Sequence, residues 1–515
     1  MFFGEIIKET DLKAISGNAL DYDVLDIVTS SQKAKDGVLF VCLIGVKSDG
    51  HNYAEDAYKR GCRLFLVQHE INLPSDAVIY ITSNTRIALA HISAAFFSYP
   101  AKELTLVGIT GTKGKTTSSV LAARTMQALG EKTGYIGSNG IEYCGKHYST
   151  LNTTPDSYTL NSTFRSMLNS GVTTVIMEVS SQAVLMHRID GLTFDICVFT
   201  NLAHDHVGVG EHASFEDYKA CKAKLFSDFG CRTMIYNPYD AAAEYMLENA
   251  SAENYYSVSA LGEADYKATD IHSFRRGGML GVDFTINACG EECEASLSMA
   301  GDFNVENALN AIAVCVTLIK EKNKASCSLK NNQSLIKTIC ETVKNISVDG
   351  RCKVIESEYL KDRSFVIDYA HNGYSLANIL RLLRSYCPRR LVCVFGSVGE
   401  RSFDRREELG SVASELADLS IITSDNPANE DPDKIINEIY NSFGNKKAKA
   451  VCITDRESAI EYAVKNSQAG DIILLAGKGH EEYQLVGNEK LPFSEERLVK
   501  KYIKDCFGNP ILAHI

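Results

Sequence analysis

A surplus of positive charge is missing from this sequence. Its 53 Lys and Arg residues face 65 Asp and Glu residues, which gives a formal net charge of −12 at pH 7. Binding to nucleic acid through charge alone needs a basic footprint, so we expect no nucleic-acid partner. A small anionic substrate is still compatible with this charge, because a local basic site is enough to bind it.

Long apolar runs and paired cysteine motifs are also missing. No stretch approaches the roughly 18 apolar residues of a membrane span, and the N-terminus lacks the basic and apolar regions of a signal peptide. The 16 cysteines are scattered, and the closest motif, Cys289 with Cys293, has no second pair to complete a zinc site. We therefore expect a cytoplasmic protein with reduced thiols and no membrane span.

The sequence does contain three successive patterns of strands and helices. Residues 1–98 alternate short strand-like and helical runs, such as "GVLFVCLIG" and "YAEDAYKRG". Residues 99–345 contain apolar, β-branched runs that are typical of buried parallel strands, and a weaker β-like region near 273–299. Residues 346–515 alternate strands with helices, which is typical of a doubly wound sheet. These patterns predict an α/β protein of three domains.

A glycine-rich turn, "GTKGKTT", follows the strand-like run 104–110 and precedes a helical pattern. This context predicts a P-loop, in which backbone amides and a helix N-terminus face the phosphates of a nucleotide. Lys115 is expected to reach the β- and γ-phosphates, and the Thr116 hydroxyl is expected to bind Mg²⁺. The pattern departs from the usual one at Ile109, where most P-loops have glycine. The predicted ATP-binding residues of the turn are Gly111, Thr112, Lys113, Gly114, Lys115, Thr116 and Thr117.

Acidic and imidazole groups follow two other strand-like runs of the central region. "VIMEVSSQ" places Glu178 at the end of one run, and "FTNLAHDHVG" places Asp205 and His206 after the other. A carboxylate beside a second strand end can ligate Mg²⁺ directly or through water. We therefore predict a metal site at this edge of the sheet, built from Thr116, Glu178 and His206.

Several further motifs occur in a fixed order along almost the whole chain. They are "GTKGKTT", "MEVSSQ", "TNLAHDH", "GDFNVENALNA", "DGR", "IDYAHN", "DNPANEDP" and "GKGHEEYQ". Together they resemble the Mur ligases of bacterial cell-wall synthesis. The resemblance implies a UDP-substrate-binding domain at 1–98, a central P-loop ATP-binding domain at 99–345 and a Rossmann-like amino-acid-binding domain at 346–515.

The resemblance also implies a reaction, with ATP and Mg²⁺ as cofactors. The γ-phosphoryl group would pass to the glutamyl carboxylate of UDP-N-acetylmuramoyl-L-alanyl-D-glutamate and make an acyl phosphate. The amine of a free amino acid would then displace phosphate and form an amide. Phosphorylation supplies the leaving group that a carboxylate lacks, and Lys115 and Mg²⁺ would neutralise the charge that accumulates. A monomer is expected.

Roles for individual residues follow from the resemblance alone. The catalytic set is Lys115, Glu178, His206 and Lys222, of which Lys222 in "FEDYKACKAKLF" matches a carbamylated lysine that would bind a second Mg²⁺. The UDP substrate is expected to contact Ser31, Lys47, Ser48, Thr153, Thr154, Ser180 and Arg188. Additional ATP contacts are expected at Asn304, Asn307, Arg351, Asp368 and His371. The incoming amino acid is expected to contact Arg401, Asp425, Asn426, Ala428, Gly477 and Glu481.

The identity of the added amino acid depends on one position. Family members that add diaminopimelate usually read D-N-P-R, and the arginine pairs with the second carboxylate of that amino acid. Here the position is Ala428, which cannot form a bidentate ion pair. Acidic neighbours at Glu430, Asp431 and Glu481 would suit a terminal ammonium. We therefore expect lysine, with diaminopimelate possible if Arg405 or Arg406 replaces the missing arginine, and with ornithine as a further candidate.

Three other functions agree less well with the sequence. A ligase similar to folylpolyglutamate synthase uses a related P-loop and the same chemistry, but it lacks a uridine-binding domain such as 1–98. A P-loop switch or motor would need a guanine-reading N-K-x-D motif or motor elements, which we do not find. A silent paralogue that only binds UDP-sugars would not need Lys115, Glu178, His206 and Lys222.

Overall fold

The computed structural model describes residues 1–8, 10–45, 48–204, 208, 212–325, 334–400 and 403–508. The chain divides into two compact units, one made of residues 1–266 with 313–326 and the other of residues 267–312 with 327–515. The three-domain boundaries at residues 98 and 345 stay a prediction. Among the helices within these described ranges, none is long and apolar enough to cross a membrane.

Residues 1–98 build the first sheet of unit 1. Its elements are α1 Phe3–Ile6, β1 Lys13–Ser16, β2 Asp26–Val28, β3 Val38–Val41, α2 Ala54–Lys59, β4 Leu64–Val67, β5 Val78–Ile81 and α3 Thr85–Phe96. The strand order is β1-β5-β4-β3-β2, with β2 to β5 parallel and β1 antiparallel to β5. Strands β3 and β4 are buried over their whole length, as expected for apolar strands with both faces covered.

The second sheet of unit 1 carries the glycine-rich turn. Its elements are β6 Thr105–Thr110, α4 Lys115–Ala128, β7 Thr133–Gly137, β8 Gly140–Tyr143, β9 Lys146–Tyr148, α5 Ser157–Asn169, β10 Thr174–Glu178, α6 Ser181–Leu185, β11 Phe194–Phe199, α7 Phe215–Ser227, β12 Cys231–Tyr236, α8 Ala243–Glu248 and β13 Asn254–Ser259. The strand order is β13-β12-β11-β6-β10-β7-β8-β9. Strands β7, β10, β6, β11, β12 and β13 are parallel, and β8 and β9 extend the sheet with antiparallel pairs.

Strand β6 occupies the middle of this sheet, between β10 and β11. Leu106, Val107 and Ile109 are fully buried there. Gly108 lets the ring of Phe194 approach, because a Cβ at this position would lie 2.9 Å from a ring carbon. The strands predicted from the apolar runs near residues 104–110, 173–179 and 194–202 are therefore confirmed.

Unit 2 contains a β-hairpin region, helices and a second parallel sheet. Its elements are β14 Tyr266–Arg276, β15 Met279–Ala288, β16 Glu291–Leu297, α9 Phe303–Ala325, α10 Leu335–Val343, β17 Lys353–Val354, β18 Ser364–Asp368, α11 Gly373–Ser385, β19 Leu391–Phe395, α12 Asp404–Leu416, β20 Leu419–Ile422, α13 Pro432–Asn441, β21 Ala450–Cys452, α14 Arg456–Lys465, β22 Ile472–Ala476, β23 Tyr483–Val486, β24 Glu489–Pro492 and α15 Glu495–Phe507. Residues 303–312 of helix α9 belong to this unit, and residues 313–325 belong to unit 1.

The parallel sheet of unit 2 has the strand order β17-β18-β22-β19-β20-β21. Strands β18 to β22 pair in parallel, and the short β17 is antiparallel to β18. Two separate apolar clusters pack on this sheet, one built largely with α11, α12 and α13 and the other with α14 and α15. The sheet is thus covered on both faces, and the predicted doubly wound architecture is confirmed.

A fully buried arginine ties together two strand ends of this sheet. Arg456 donates to the carbonyl oxygen of Ser424, just after β20, at 3.1 Å and to that of Ala476, the last residue of β22, at 2.9 Å. It also donates to a carboxylate oxygen of Glu495 at 2.9 Å. Burial raises the pKa of Glu495, and the guanidinium opposes this shift. The pair therefore holds the loops that follow β20 and β22.

We expect Arg456→Met to lower the free energy of unfolding by about 3–5 kcal/mol, because it leaves Glu495 buried without its partner. The matched double variant, Arg456→Met with Glu495→Gln, should recover part of this loss because no unpaired charge remains. Urea denaturation of the full chain, followed by circular dichroism, measures both. A single variant as stable as the parent protein would contradict this account of the pair.

Candidate functional site

Three strand ends meet at one edge of the second sheet. The parallel register sets Glu178, the last residue of β10, beside Ile109 of β6, and it sets Phe199, the last residue of β11, beside Thr110. The turn that follows β6 therefore lies between the ends of β10 and β11. In open parallel sheets, ligands bind outside such carboxyl ends.

The glycine-rich turn is held from the β11 side. Thr112 donates its backbone N–H to the carbonyl of Asn201 at 2.8 Å, and Lys113 donates its N–H to the side-chain oxygen of Asn201 at 2.9 Å. Gly111 has φ +148°, and a Cβ there would collide with the Thr200 hydroxyl. Gly114, with φ +86°, precedes the first residue of α4. The turn is therefore a strand–turn–helix cradle, as the sequence predicts for a P-loop.

The carboxylate of Glu178 is fully buried and receives hydrogen bonds on both oxygens. One oxygen accepts from the Tyr135 hydroxyl at 2.9 Å and from the backbone N–H of Ser138 at 2.8 Å. The other accepts from the Thr116 hydroxyl at 3.0 Å. Burial and the Glu178 charge raise the pKa of Tyr135 well above its usual value, so the phenol stays a donor. The structure thus brings Thr116 of the turn and Glu178 of β10 together.

Two lysines converge on the same backbone oxygen of the turn. Lys115 donates to the carbonyl of Gly111 at 2.8 Å, and Lys222 of α7 donates to it at the same distance. Lys222 is buried, and its ammonium lies 4.5 Å from the ring centroid of Tyr218. The Tyr218 hydroxyl lies 3.1 Å from that of Thr112. Both predicted lysines therefore lie at the turn.

The residues matched to the muramoyl-dipeptide form a second group at the same edge. The Thr154 hydroxyl donates to the carbonyl oxygen of Glu178 at 2.8 Å, and Ser180 donates its N–H to the Thr154 hydroxyl at 3.1 Å. Arg188 donates to the carbonyl of Thr154 at 2.9 Å, and burial lowers the pKa of its guanidinium. The Thr153 hydroxyl lies 3.0 Å from that of Ser138. These residues surround the end of β10.

The predicted uridine contacts lie at an edge of the first sheet. Ser31 follows β2 and Ser48 follows β3, and these strands are parallel neighbours. The Ser31 hydroxyl bonds to Asp56, whose pKa it lowers. Ser48 is exposed, and its carbonyl oxygen accepts from the N–H of Gly45 at 2.8 Å. The structure places both serines where two parallel strands end.

A pair of stacked histidines fastens the loop after Ser48. Asp49 binds both His51, at 2.5 Å, and His69, at 3.3 Å, and the two rings stack 3.8 Å apart. The backbone N–H of His51 is the main cause that lowers the pKa of Asp49 to about 2. Nε2 of His51 accepts from the N–H of Gln68 at 2.9 Å, so its Nδ1 carries the proton that Asp49 accepts. This tautomer makes the group a poor metal site.

The residues matched to ATP contacts in unit 2 lie near the end of β18. Asp368 accepts hydrogen bonds from the N–H groups of Cys352, at 2.8 Å, and Ala370, at 2.9 Å, and burial raises the pKa of its carboxyl. The guanidinium of Arg351 lies 5.9 Å from the ring centroid of Tyr369. His371 bonds through Nδ1 to the carbonyl of Tyr369 at 2.9 Å. These three residues are therefore brought together.

The residues that follow His371 begin the next helix. Asn372 accepts a hydrogen bond from the N–H of Ser375 at 2.8 Å and caps α11, which begins at Gly373. The other ATP candidates, Asn304 and Asn307, are buried in α9 and bonded to each other at 3.0 Å. Asn304 also donates to the carbonyl of Ala300 at 2.8 Å, so these amides are partly committed to the helix.

The residues matched to the amino-acid pocket surround one buried lysine. Lys478 donates to the side-chain oxygen of Asn426 at 2.9 Å and to Glu481 at 3.1 Å, and it lies 3.5 Å from Asp425. Asn426 donates in turn to Glu481 at 2.9 Å. Gly477 has φ +114°, and a Cβ there would lie 2.5 Å from Asp425. Four predicted pocket residues are thus one connected group, with Lys478 at its centre.

One of the expected acidic neighbours is neutralised by an arginine, and a second is used in part as a helix cap. Glu430 forms a two-point ion pair with the buried Arg406, with N–O distances of 2.9 and 2.6 Å. This arginine holds the pKa of Glu430 at about 2. Asp431 caps α13 by accepting from the N–H of Asp433 at 3.0 Å. Among the described residues, Glu430 has both oxygens engaged, whereas Asp431 and Glu481 each keep one oxygen for another partner.

Position 428 itself is fixed by backbone contacts. Ala428 donates its N–H to the carbonyl of Leu485 at 3.2 Å and accepts from the N–H of Gly487 at 2.8 Å, which docks it onto the β23–β24 hairpin. Its φ is +53°. Arg406 is bound to Glu430 and also to Glu438, at 2.5 Å, so it is not free to replace an arginine at position 428.

Three predicted site residues, His206, Lys47 and Arg401, lie outside the described residues. Conversely, sequence reasoning missed Tyr135, Ser138, Tyr218 and Lys478, which position the predicted groups. Lys478 stands within "GKGHEEYQ", so its motif was visible although its role was not. Tyr218 likewise stands in "FEDYKACKAKLF" beside Lys222, whereas Tyr135 and Ser138 stand in ordinary runs that no sequence signal marks.

The donor set around Thr116 fits a magnesium ion. Mg²⁺ prefers carboxylate and hydroxyl oxygens, and the structure offers one of each, 3.0 Å apart. The Thr116 hydroxyl donates a hydrogen bond to Glu178, so its oxygen lone pairs stay available to a cation.

Comparison with known proteins identifies relatives over the whole chain. Residues 109–315 match the Mur ligase middle domain, and residues 350–479 match the Mur ligase glutamate ligase domain. A UDP-N-acetylmuramoyl-L-alanyl-D-glutamate–2,6-diaminopimelate ligase of Clostridium perfringens is 34% identical over 506 residues, covering 97% of this chain and 99% of that protein. The ligase of the same name from Caldanaerobacter subterraneus subsp. tengcongensis is 34% identical, with 95% and 97% covered.

A solved structure shows the same relationship. A UDP-N-acetylmuramoyl-L-alanyl-D-glutamate–2,6-diaminopimelate ligase superimposes with a TM-score of 0.68 and 25% identity, covering 98% of this chain and 99% of that one. The coverage includes residues 1–98, which neither matched domain contains. The similarity therefore extends beyond the P-loop region to the first sheet.

We expect Gly137→Ala to lower the nucleotide-dependent activity strongly while the protein stays folded. A methyl group at this position would collide with the Tyr135 hydroxyl and the Glu178 carboxylate, and so displace the partner of Thr116. The loss should be at least about 100-fold in kcat. The matched control, Ser138→Ala, removes the 3.4 Å contact to Glu178 and the 3.0 Å contact to Thr153 but keeps the backbone N–H bond to Glu178, so its loss should stay below about 10-fold. Equal activities in the two variants would contradict this role of Glu178.

Proposed function

Because this chain belongs to the Mur ligase family, whose members form amide bonds in peptidoglycan precursor synthesis, we propose that it performs the MurE step. In this reaction an ATP-dependent ligase adds the third amino acid to UDP-N-acetylmuramoyl-L-alanyl-D-glutamate. The named relatives act on this dipeptide precursor, and the chain is similar to them over nearly its full length. ATP and Mg²⁺ are the proposed cofactors, and a monomer is the proposed state.

The pairing of Thr116 with Glu178 is the observation that carries this proposal. It joins the phosphate cradle to the strand end that also carries Ser180, Thr154 and Arg188, the residues matched to the dipeptide. A phosphoryl donor and a carboxylate acceptor bound to these two groups would share one edge of the sheet. Phosphoryl transfer depends mainly on such positioning and on charge neutralisation.

The chain's own residues would divide the chemistry between them. The amides of the turn and the N-terminus of α4 would hold the phosphates, and Lys115 would leave the carbonyl of Gly111 to reach the γ-phosphate. Thr116, Glu178 and His206 would hold Mg²⁺, which when bound supplies positive charge against the transferring phosphoryl group. Thr154, Ser180 and Arg188 would orient the dipeptide. The acyl phosphate would then lie where the amine of the incoming amino acid can attack it.

Lys222 is the proposed carbamylated residue. Its amine is buried against the turn and donates to Gly111. Carbamylation converts the ammonium to an anion but keeps one N–H, so the bond to Gly111 is compatible with the modified side chain. The resulting carboxylate oxygens would be hard ligands at the phosphate site, suited to a second Mg²⁺.

We propose lysine as the added amino acid. Ala428 offers no cation to a second carboxylate, and Arg406 is committed to Glu430 and Glu438. Glu481 accepts two hydrogen bonds on one oxygen and keeps the other for an incoming ammonium. The expected contact of the α-carboxylate is Arg401.

Diaminopimelate is the second candidate, because the named relatives use it. One observation of this chain also favours it. Arg405, beside Arg406 at the start of α12, makes no hydrogen bond or ion pair with the described residues. Its guanidinium is therefore available to a second carboxylate, whereas that of Arg406 is not. Ornithine is the third candidate.

Phosphate release by the purified protein tests the function. The assay contains ATP, Mg²⁺ and UDP-N-acetylmuramoyl-L-alanyl-D-glutamate, with lysine, diaminopimelate or ornithine added separately. Release that depends on the dipeptide and on one amino acid is expected. Lys115→Ala should lower the rate at least about 100-fold, because it removes a cation from the phosphates. Absence of release with all three amino acids would refute the MurE assignment.

The variant Ala428→Arg tests the choice of amino acid. An arginine here should raise the ratio of kcat/KM for diaminopimelate over lysine about 10-fold or more, since a charged hydrogen bond contributes roughly 1.5–3 kcal/mol. Ala428→Gln is the control of similar length without charge, and it should not change the ratio. A parent protein that already prefers diaminopimelate would contradict the lysine proposal, and Arg405→Gln would then be expected to remove that preference.

A further inference from the structure

A buried histidine outside the residues discussed so far forms a hydrogen-bonded chain with two neighbours. Nδ1 of His212 lies 3.0 Å from a carboxylate oxygen of Asp217, and Nε2 lies 2.8 Å from the hydroxyl of Ser181. His212 has no exposed surface, and Ser181 is also buried. A carboxylate can only accept, so Asp217 fixes a proton on Nδ1 and leaves Nε2 directed at Ser181.

Ser181, at one end of this hydrogen-bonded chain, lies beside the residues proposed to bind the dipeptide. Ser181 is the first residue of α6 and follows Ser180, whose hydroxyl caps that helix by accepting from the N–H of Ala183. Glu178 ends β10 three residues before Ser181. Thr154 holds this segment from one direction through its hydroxyl. His212 precedes α7, is bonded to Asp217 of that helix, and holds the segment from the side of the phosphate cradle.

Asp217, at the other end, lies on the helix that contacts the glycine-rich turn. Asp217 stands in the first turn of α7, and its backbone N–H is capped by Ser214 at 3.1 Å. The next residues of this helix include Tyr218 and Lys222, which contact Thr112 and Gly111 of the glycine-rich turn. The chain Asp217–His212–Ser181 therefore connects the helix that contacts the phosphate cradle to the segment that carries the acceptor residues.

The same order of groups occurs in serine hydrolases, where histidine activates a serine nucleophile. That role needs a serine that a substrate can reach. Ser181 is only 4% exposed, and its hydroxyl is directed at His212. The arrangement is therefore suited to holding two elements in place, and a covalent step is not required.

We propose that Asp217, His212 and Ser181 are positioning residues that fix the acceptor segment relative to α7. This inference rests on the proposed function. A bound carboxylate must meet the γ-phosphoryl group in line, and a small displacement of either group lowers the rate steeply. The hydrogen bonds through His212 set their relative position, because Ser181 belongs to α6 and Asp217 belongs to α7.

Two substitutions at His212 separate the two bonds. The amide of His212→Asn can occupy the position of Nδ1 and keep Asp217, but it cannot reach Ser181. The longer amide of His212→Gln can reach Ser181. We expect His212→Asn to lower kcat about 10–100-fold, as is usual when a supporting hydrogen bond is lost, and His212→Gln to retain more activity. The KM for ATP should change by less than about threefold, because the P-loop itself is intact.

The smaller change Ser181→Ala should reproduce the loss seen with His212→Asn, and the double variant should be no worse than either single one. Ser227→Ala is the matched control, since it removes an exposed serine hydroxyl at the far end of the same helix, where that hydroxyl bonds to Asp228. It should keep the parent kcat. Equal kcat values for the parent protein, His212→Asn and Ser181→Ala, or a rise in the KM for ATP that matches the loss of kcat, would overturn the inference.

Hydrogen–deuterium exchange gives a second readout that does not depend on the assignment of the reaction. Amides of residues 178–185 should exchange faster in His212→Asn than in the parent protein or in Ser227→Ala. Unchanged exchange would overturn the inference even if the ligase assay succeeds. A parent protein without ligase activity, but with the expected change in exchange, would instead refute the proposed function and keep the structural role of the chain.

Discussion

The buried carboxylate of Glu178 is the group on which the phosphate-binding half of the molecule depends. A carboxylate without exposed surface is stable only when its oxygens receive hydrogen bonds, and here Tyr135, Ser138 and Thr116 supply them. These donors come from β7, the segment after it and α4, so the carboxylate fixes three elements in one arrangement. The parallel register of β6 with β10 makes this possible, because it places the glycine-rich turn beside the end of β10.

Unit 2 also buries charged groups, but here each buried cation is paired with carboxylates. Lys478 is fully buried among Asp425, Asn426 and Glu481, and Arg456 is buried with Glu495 below the ends of β20 and β22. Each cation removes part of the negative charge that these carboxylates would otherwise direct into the loops. The selectivity of this region therefore cannot be judged from a count of acidic residues. It depends on which oxygens remain after the internal pairs have formed, and Glu481 retains one.

The sequence predicted local features well, because their causes are local. Apolar β-branched runs became β6, β10 and β11, and the alternation after residue 346 became a doubly wound sheet. The turn around Gly111 was visible because glycine, lysine and threonine stand next to each other. The partners of these groups could not be predicted, since Tyr135 lies 43 residues from Glu178 and Ser181 lies 31 residues from His212. Nothing in an isolated tyrosine or histidine shows which distant strand end it will contact.

The same limit applies to the charges around the predicted amino-acid pocket. Glu430 and Asp431 looked like free charges in "DNPANEDP", yet one is bound by Arg406 and the other caps α13. The absence of an arginine at position 428 is a local fact and survives this correction. What the sequence could not supply is the state of the neighbouring guanidiniums: Arg406 is neutralised by two carboxylates, whereas Arg405 is not. The side chain of the incoming amino acid can end in an ammonium, which Glu481 would bind, or in a second carboxylate, which Arg405 would bind. The sequence motif alone does not show which of these two residues decides.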